Sequence, residues 1–513
     1  MESNVSHPDA GEFADAIARA HSADANAPCV VEVVETHIST IFLTQRFAYK
    51  VKKPVRNDFL DYSTLELREH FCHEEIRLDR RYAPDLYMDV VPFSRKQGRL
   101  VLGLAGEVCE VAIKMHRFPS DALLIYRLQK NQVSVQDIRM LASHVAEFHG
   151  MAISVTDSNL LGSPNLVLQE SIENLDALSD SKWNNASQME QLENLKIWTN
   201  SCFERLALEF ANRKQSGFVR ESHGDMHSGN VVYWNEQFVP FDGIEFNEAF
   251  RWIDVMSDVA FLVMDLHARQ HEPFGNIFIN SYLEQTGDYA GLRVLRWYLV
   301  YRSLVRAKVD GIVMTQHPED SKEFATASAG RTSYLDLAAR LVKARPPTLW
   351  ITHGLSGSGK STGAEEIVRQ NGAIRIRADV ERKRLFGKDA TYRANAEEMK
   401  RLYSSELSEQ TYSRLHKLAV TVLQAGYSVI VDATFLKRKQ RALYALLAKE
   451  LSIPFEILDF HASYETLRDR VEHRAAMQHD PSDADLSVLE RQIELDEPLD
   501  ETEQRNSRTI CQE

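Results

Sequence analysis

The run Gly354-Leu-Ser-Gly-Ser-Gly359-Lys360-Ser361 restricts the possible folds of this chain more than any other stretch. It fits the pattern G-x4-GK[ST], follows the apolar run Thr348-Leu-Trp-Ile-Thr352, and precedes a helix-forming run that opens with Ser361-Thr362-Gly363. Glycines at these positions let consecutive backbone N–H groups wrap phosphate oxygens, and the N-terminus of the following helix adds favourable potential for an anion. The motif needs a strand before it and a helix after it, and both are here. Lys360 is placed to reach the β- and γ-phosphates of a nucleotide, and Ser361 to coordinate magnesium. Gly354, Ser356, Gly357, Ser358, Gly359 and Thr362 complete the candidate nucleotide-binding set. The alternative is a glycine-rich turn with no ligand, which the intact Lys-Ser ending and the flanking elements disfavour.

Around this loop, strand-like runs (TLWIT, AIRI, YSVIVDA, FEILDF) alternate with helical ones, among them a long helix over about Asn395 to Ala425 and another over KRKQRALYALLAKE. That alternation predicts an α/β domain with a doubly wound parallel sheet. Its start is marked by Arg345-Pro346-Pro347, a stiff joint because a proline disfavours helix in the residue before it. Asp432 closes the YSVIV strand and is a candidate magnesium ligand; alone it reads equally well as a strand-end cap, and the phosphate loop tips the balance towards metal. Asp379 could take a proton from an acceptor hydroxyl while Arg382, one turn on, holds an acceptor anion. Weighed without other information, a helix-capping Asp with a surface Arg is the stronger reading of that pair.

The first 343 residues are organised differently. Strand-like runs CVVEVVE, IFLT and FAYKVKK, one helix containing LELREHFCHEEIRLDRR, and further strands YMDVVPF, RLVLG and VCEVAIKM predict a small antiparallel lobe over about 28–118. A mainly helical lobe follows over about 119–343. Within it stands His223-Gly-Asp225-Met-His-Ser-Gly-Asn230, then a short strand pair, then Phe241-Asp242-Gly243. The spacing D-x4-N followed by D suits phosphoryl transfer: Asp225 as the base for a hydroxyl, Asn230 and Asp242 as magnesium ligands on the phosphates of ATP. An isolated HGD is a common polar turn. The complete ordered set is far more specific.

Bulk properties bound the rest. At 513 residues the chain exceeds one hydrophobic core. The sequence has no apolar run long enough to span a membrane, and its first residues lack the basic and apolar regions of a signal peptide, so a soluble cytoplasmic protein is expected. Five cysteines, far apart and without CxxC pairs, give no zinc or disulfide pattern. A formal net charge of −14 makes nucleic acid a possible but disfavoured partner.

Taken together, GLSGSGKST, ADVERKRLFG, VDATF and LRDRVEHR resemble the P-loop kinase group that contains polynucleotide kinases, gluconate kinases and zeta-type toxins, over nearly all of residues 346–500. The resemblance implies that Asp379 is the base, that Arg382 positions the acceptor, and that Arg470 and Arg474 are lid arginines closing over the nucleotide. Over roughly residues 30–340 the chain resembles the aminoglycoside-phosphotransferase group, which includes choline and fructosamine kinases. That implies an α+β protein-kinase-like bilobal domain in which Lys50 of Phe47-Ala-Tyr-Lys50 faces ATP, with Ala48 and Lys52 on the same strand face. Glu74 or Glu75 would pair with that lysine. Asp258 and the segment around His149 would form buried scaffold beside the catalytic loop, while Glu245 is either an extra ligand or a structural carboxylate. The hairpin Glu35-Thr-His-Ile-Ser-Thr40 departs from the glycine-rich loop of protein kinases. The whole chain resembles bacterial fusions of these two domain types. It implies a bifunctional ATP- and magnesium-dependent kinase acting on hydroxyls of small molecules. Two alternatives remain open: a single catalytic domain with a nucleotide-binding regulatory partner, or a C-terminal kinase of nucleic-acid 5′-hydroxyl ends.

Overall fold

In the computed structural model the described residues are 7–22, 29–57, 59–155, 159–343, 345–390, 392–477 and 485–511, with the side chains of 396 and 474–477 left aside. By packing, the chain falls into two units: residues 1–167 with 211–262, and residues 168–210 with 263–513. The helical segment preceding Arg345 thus shares a unit with the domain that follows it. The Pro346-Pro347 joint is a joint in sequence that lies within a packed unit.

The first unit is built on a six-stranded antiparallel sheet. Its strands are β1 (Glu32–Glu35), β2 (Ser39–Leu43), β3 (Phe47–Lys52), β4 (Tyr87–Lys96), β5 (Arg99–Leu102) and β6 (Glu107–His116), in the order β1-β2-β3-β6-β4-β5. Both faces are covered. Helix α1 (Ala10–His21), absent from the sequence-based expectation, starts with a reciprocal capping box between Asp9 and Glu12. It buries Phe13, Ala16 and Ile17 against Phe42, Tyr49, Val51 and Phe93. On the other face, helix α2 (Leu65–Asp79), capped by Thr64, presents Arg68, Cys72, Glu75, Ile76 and Asp79 as one buried stripe. The two charged groups in that stripe, Arg68 and Glu75, survive burial because each is paired; Arg68, for example, meets the fully buried Glu110 at 2.7 Å.

Downstream in this unit, helix α3 (Val135–Met151) packs beside a two-strand hairpin, β7 (Val231–Trp234) and β8 (Gln237–Pro240). Val231 faces Pro240 and Trp234 faces Gln237, so the hairpin brings the residue before β7 and the residue after β8 side by side. Helix α4 (Val255–Ala268) follows.

The second unit contains helices of the 263–343 segment, among them α5 (Glu272–Thr286), and a five-stranded parallel sheet. Its strands are β9 (Leu349–His353), β10 (Ile374–Arg377), β11 (Val429–Asp432), β12 (Phe455–His461) and β13 (Ser507–Cys511), ordered β10-β11-β9-β12-β13. Every pairing is parallel. All five residues of central β9 are buried, as a strand covered on both faces requires. Helix α6 (Lys360–Asn371) follows the glycine-rich loop and helix α7 (Ala378–Leu385) follows β10. The expected long helix over 395–425 is two helices, α8 (Ala396–Leu402) and α9 (Ser405–Gln424). The break has a local cause: Ser404 is extended and its side chain accepts a hydrogen bond from Leu407 N, so it starts a new helix. Helices α10 (Arg438–Leu451), α11 (Tyr464–Met477) and α12 (Leu486–Leu495) complete the layers. Strand β13 was not anticipated by the sequence pattern. Among the described residues, no helix is long and apolar enough to cross a membrane.

Candidate functional sites

In the first unit the strand alternation of β3 places Ala48, Lys50 and Lys52 on one face, with Tyr49 and Val51 packed in the core on the other. Lys50 Nζ donates to Glu75 Oε1 at 2.8 Å and to Asp242 Oδ1 at 2.5 Å. Burial by itself would depress the ammonium's pKa, but the carboxylates of Asp242 and Glu75 hold it well above the ordinary lysine value. Glu75, not Glu74, is therefore the helix partner of the lysine: Glu75 is fully buried, while Glu74 pairs with Arg77 at 2.8 Å. The other Glu75 oxygen takes Lys52 Nζ at 2.6 Å. Lys52 also meets Glu245, which in turn accepts from Tyr62. One buried glutamate thus bridges two lysines, and Glu245 is fixed as the second lysine's counter-charge.

The loop carrying Asp225 and the strand end carrying Asp242 are tied together by His223. Its Nδ1 accepts from Asp225 N at 3.2 Å and its Nε2 donates to Phe241 O at 3.0 Å, which sets the tautomer. Burial pushes the pKa of this ring below the usual histidine value, favouring the neutral form the pairing needs. Asp258 receives the backbone N–H groups of His223 and Gly224, at 2.7 and 2.8 Å, and His149 Nε2 stands 3.3 Å from it. Asn230 Nδ2 donates to Asp225 Oδ2 at 3.0 Å, and Asn230 O accepts from Phe241 N at 3.0 Å. Asp225, Asn230 and Asp242 are accordingly brought to one place by the hairpin register. Asp225 and Asp242 keep about a third and two-fifths of their side chains exposed, unlike Asp258, which is buried. That contrast separates carboxylates able to meet a ligand from scaffold.

Asp242 has a left-handed backbone (φ 63°) and is held by Tyr87 OH, which accepts from its N–H at 3.0 Å. The next residue must be glycine, since a Cβ at Gly243 would stand 2.2 Å from Tyr82 OH. Gly243 N donates to Asp79 Oδ1 at 2.9 Å. Burial first, and then the neighbouring Glu75 carboxylate, push the Asp79 carboxyl up to about 8, so it is uncharged at neutral pH. Since the unfolded carboxyl ionises near 3.8, its contribution to stability is complete below that pH and declines as pH rises towards about 8. Asp79→Asn, which mimics the neutral form, is expected to stabilise the protein increasingly from pH 4 to 8, by on the order of 1–3 kcal/mol at the upper end. Urea denaturation at pH 5 and pH 8.5 reads this; equal effects at both values would remove Asp79 as a buried neutral acid.

In the second unit, the glycine-rich loop turns tightly between β9 and α6. Gly354 (φ 134°) and Gly357 (φ 89°) adopt conformations that side chains resist, and a Cβ on either would stand within 2.9 Å of the backbone oxygens of Phe460 or Leu467. Lys360 Nζ donates to Leu355 O at 2.6 Å, folding back across the loop. Ser361 Oγ donates to Asp432 Oδ2 at 3.1 Å, so the two candidate magnesium ligands stand together at the ends of neighbouring elements. Arg375, on the strand beside β11, holds the same oxygen at 2.5 Å. Burial raises the pKa of Asp432, but the guanidinium groups of Arg375 and Arg377 outweigh it and keep the carboxyl below its usual value.

These residues open onto a cavity of about 1250 Å³, lined by Lys360, Ser361, Asp379, Arg382, Asp432 and Arg470 among others. Ser356, Gly357, Gly359 and Thr362 also line it, whereas Gly354 and Ser358 are buried under the loop. Asp379 is not the cap of α7. That position belongs to Arg377, and Asp379, a residue into the helix, keeps about a third of its side chain exposed to the cavity, 3.9 Å from Arg382. Arg382 lies over the ring of Tyr403 at 4.7 Å, a cavity residue the sequence reading did not single out. Arg470, on α11, donates to Gly357 O at 3.2 Å. The side chain of Arg474 is outside the described residues. From α12, Gln492 accepts from Ser356 N at 2.8 Å, an addition that no motif announced.

Over 447 residues the chain is 28% identical to an uncharacterized protein of Mycobacterium tuberculosis, a match that covers 87% of this chain and 86% of that one. Among solved structures it is similar to an ethanolamine kinase of Plasmodium vivax, at 8% identity over 62% of this chain and 84% of that chain, with a TM-score of 0.38. It is also similar to a gluconokinase of Sinorhizobium meliloti, at 22% identity over 33% of this chain and 84% of that chain, with a TM-score of 0.23. Residues 349–499, which carry the glycine-rich loop and strands β9 to β12 of the parallel sheet, match the family model described as AAA domain.

Proposed function

We propose that the chain is a bifunctional ATP-dependent phosphotransferase, one site in residues 1–343 and one in residues 346–513, each moving a γ-phosphoryl group to a hydroxyl of a small molecule. The observation that supports this reading is duplication: each site has a lysine (Lys50, Lys360), a partly exposed carboxylate (Asp225, Asp379) and a pair of side chains with oxygen atoms (Asn230 and Asp242, Ser361 and Asp432). In the first site Lys50 steadies the nucleotide phosphates, Asp225 accepts the acceptor's proton, and Asn230 and Asp242 hold magnesium. In the second, the loop N–H groups and Lys360 hold the phosphates, Ser361 and Asp432 hold magnesium, Asp379 accepts the proton, and Arg382 orients the acceptor. Arg470, with Arg474, belongs to the lid over the nucleotide. Magnesium supplies charge neutralisation at the transferred phosphoryl group when bound. The Ser361–Asp432 contact supports a hard oxygen-ligand site there. A cytoplasmic setting, where ATP is abundant, suits both sites.

The test is a screen of a metabolite extract with γ-labelled ATP, using the full-length protein, Asp225→Asn, Asp379→Asn and the double variant. Two classes of labelled small molecule are expected, each lost with one substitution. Label appearing only on nucleic-acid 5′ ends, or one class lost with either substitution, would overturn the proposal.

A further inference from the structure

Strand β10 forms one edge of the parallel sheet, and a sheet edge leaves a row of backbone groups unpaired. Helix α5, which precedes the Pro346-Pro347 joint, closes that edge within the same packed unit. Asn280 Oδ1 accepts from Arg375 N at 2.6 Å while Asn280 Nδ2 donates to Ala373 O at 3.1 Å. One side-chain amide thereby imitates a neighbouring strand on both sides of Ile374. One turn later, Glu284 Oε1 accepts from Arg377 Nη1 at 3.0 Å, and Glu284 O accepts from Arg384 Nη2 at 2.5 Å. One turn earlier, Asn276 Nδ2 donates to Arg369 O at 3.4 Å in the last turn of α6. Positions 276, 280 and 284 form a single stripe on α5. Just beyond the helix, Tyr289 OH donates to Arg375 O at 3.4 Å.

What this stripe grips is the segment that carries Asp379. Arg375 holds Asp432, Arg377 is the residue that opens α7, and Arg384 lies in its last turn. Helix α7 has eight residues and no side-chain hydrogen bond at its own N-cap. A helix so short owes its orientation to its contacts rather than to its own cooperativity. We propose that Asn280 and Glu284 are positioning residues of the C-terminal phosphotransferase site: from outside the 346–513 segment they fix the β10–α7 elbow and thereby the orientation of Asp379 towards the cavity. The proposal rests on the reading of Asp379 as the base. Neither residue touches the glycine-rich loop, so nucleotide affinity and the chemical step should separate.

The experiment uses the full-length chain carrying Asp225→Asn, so that hydrolysis of ATP with water as acceptor reports the C-terminal site. Asn280→Ala, Glu284→Ala, their double variant, the conservative Glu284→Gln and the control Asp379→Asn are compared. A misplaced reacting group can cost about 10²-fold. The double variant is therefore expected to lose roughly 10–10²-fold in kcat, with KM and the affinity for a non-hydrolysable ATP analogue changed less than about twofold, and Glu284→Gln is expected to keep most of the rate. Amide hydrogen exchange gives a second reading: peptides over 373–385 should exchange faster in the double variant, with those at the start of α6 unchanged. The proposal is overturned by an unchanged kcat in the double variant when Asp379→Asn abolishes hydrolysis, by parallel loss of affinity and kcat, or by unchanged exchange over 373–385. If Asp379→Asn itself leaves hydrolysis intact, the base assignment falls first and the positioning role falls with it.

Discussion

Asp225→Asn is expected to lower phosphoryl transfer at the N-terminal site by about 10²–10⁴-fold, the range a positioned base contributes, with ATP affinity nearly unchanged. The structure gives the reason for the split. Asp225 is partly exposed and hydrogen-bonded by Asn230, while the Lys50 ammonium, proposed to steady the phosphates, is paired with Asp242 and Glu75. Asp242→Asn should behave otherwise, weakening magnesium-dependent nucleotide binding itself and also loosening Lys50. Steady-state kinetics with the acceptor identified from the extract, alongside calorimetric titration of ATP with and without magnesium, separates the two effects. If both substitutions leave transfer to that acceptor unchanged while Asp379→Asn stops it, the N-terminal domain is a nucleotide sensor and not a second enzyme.

Lys360→Ala is expected to remove the C-terminal activity by about 10²–10³-fold, the usual consequence of deleting one preorganised cationic or N–H group at a charged transition state. Lys360 lines the cavity and spans the loop to Leu355 O, and the buried Asp432 carboxylate, on which its charge also acts, keeps Arg375 and Arg377 beside it when the lysine is removed. Folding should survive, and a thermal melt within a few degrees of the parent checks this. The N-terminal activity should continue at the parental rate, because its lysine belongs to a different packed unit.

Both candidate residue sets were legible in the sequence for the same reason: they are short-range. Gly354 to Ser361 is one loop, and Asp225, Asn230 and Asp242 are separated by a hairpin whose strand lengths place them together. Features that depend on how distant elements meet were not legible. Whether Glu74 or Glu75 reaches Lys50 turns on one residue's rotation about α2, and only the docking of that helix on the sheet decides it. The engagement of Lys52 by Glu245 joins residues 193 positions apart, and nothing local to either announces it. Asn276, Asn280 and Glu284 read as an ordinary solvated helix face until the sheet edge they cover is known. Strand β13 is largely exposed, its Ser507 to Cys511 run lacking the apolar block that revealed the inner strands. The motif chemistry was in the words; the wiring between them was in the packing.

The central claim is that one chain holds two separate nucleotide sites, and binding stoichiometry tests it most directly. Calorimetric titration of the full-length protein with a non-hydrolysable ATP analogue and magnesium should give two bound nucleotides per chain, falling to one in Lys360→Ala and to one in Lys50→Ala, with the surviving site's affinity unaltered. A single bound nucleotide in the parent protein, or loss of all binding on either single substitution, would contradict it.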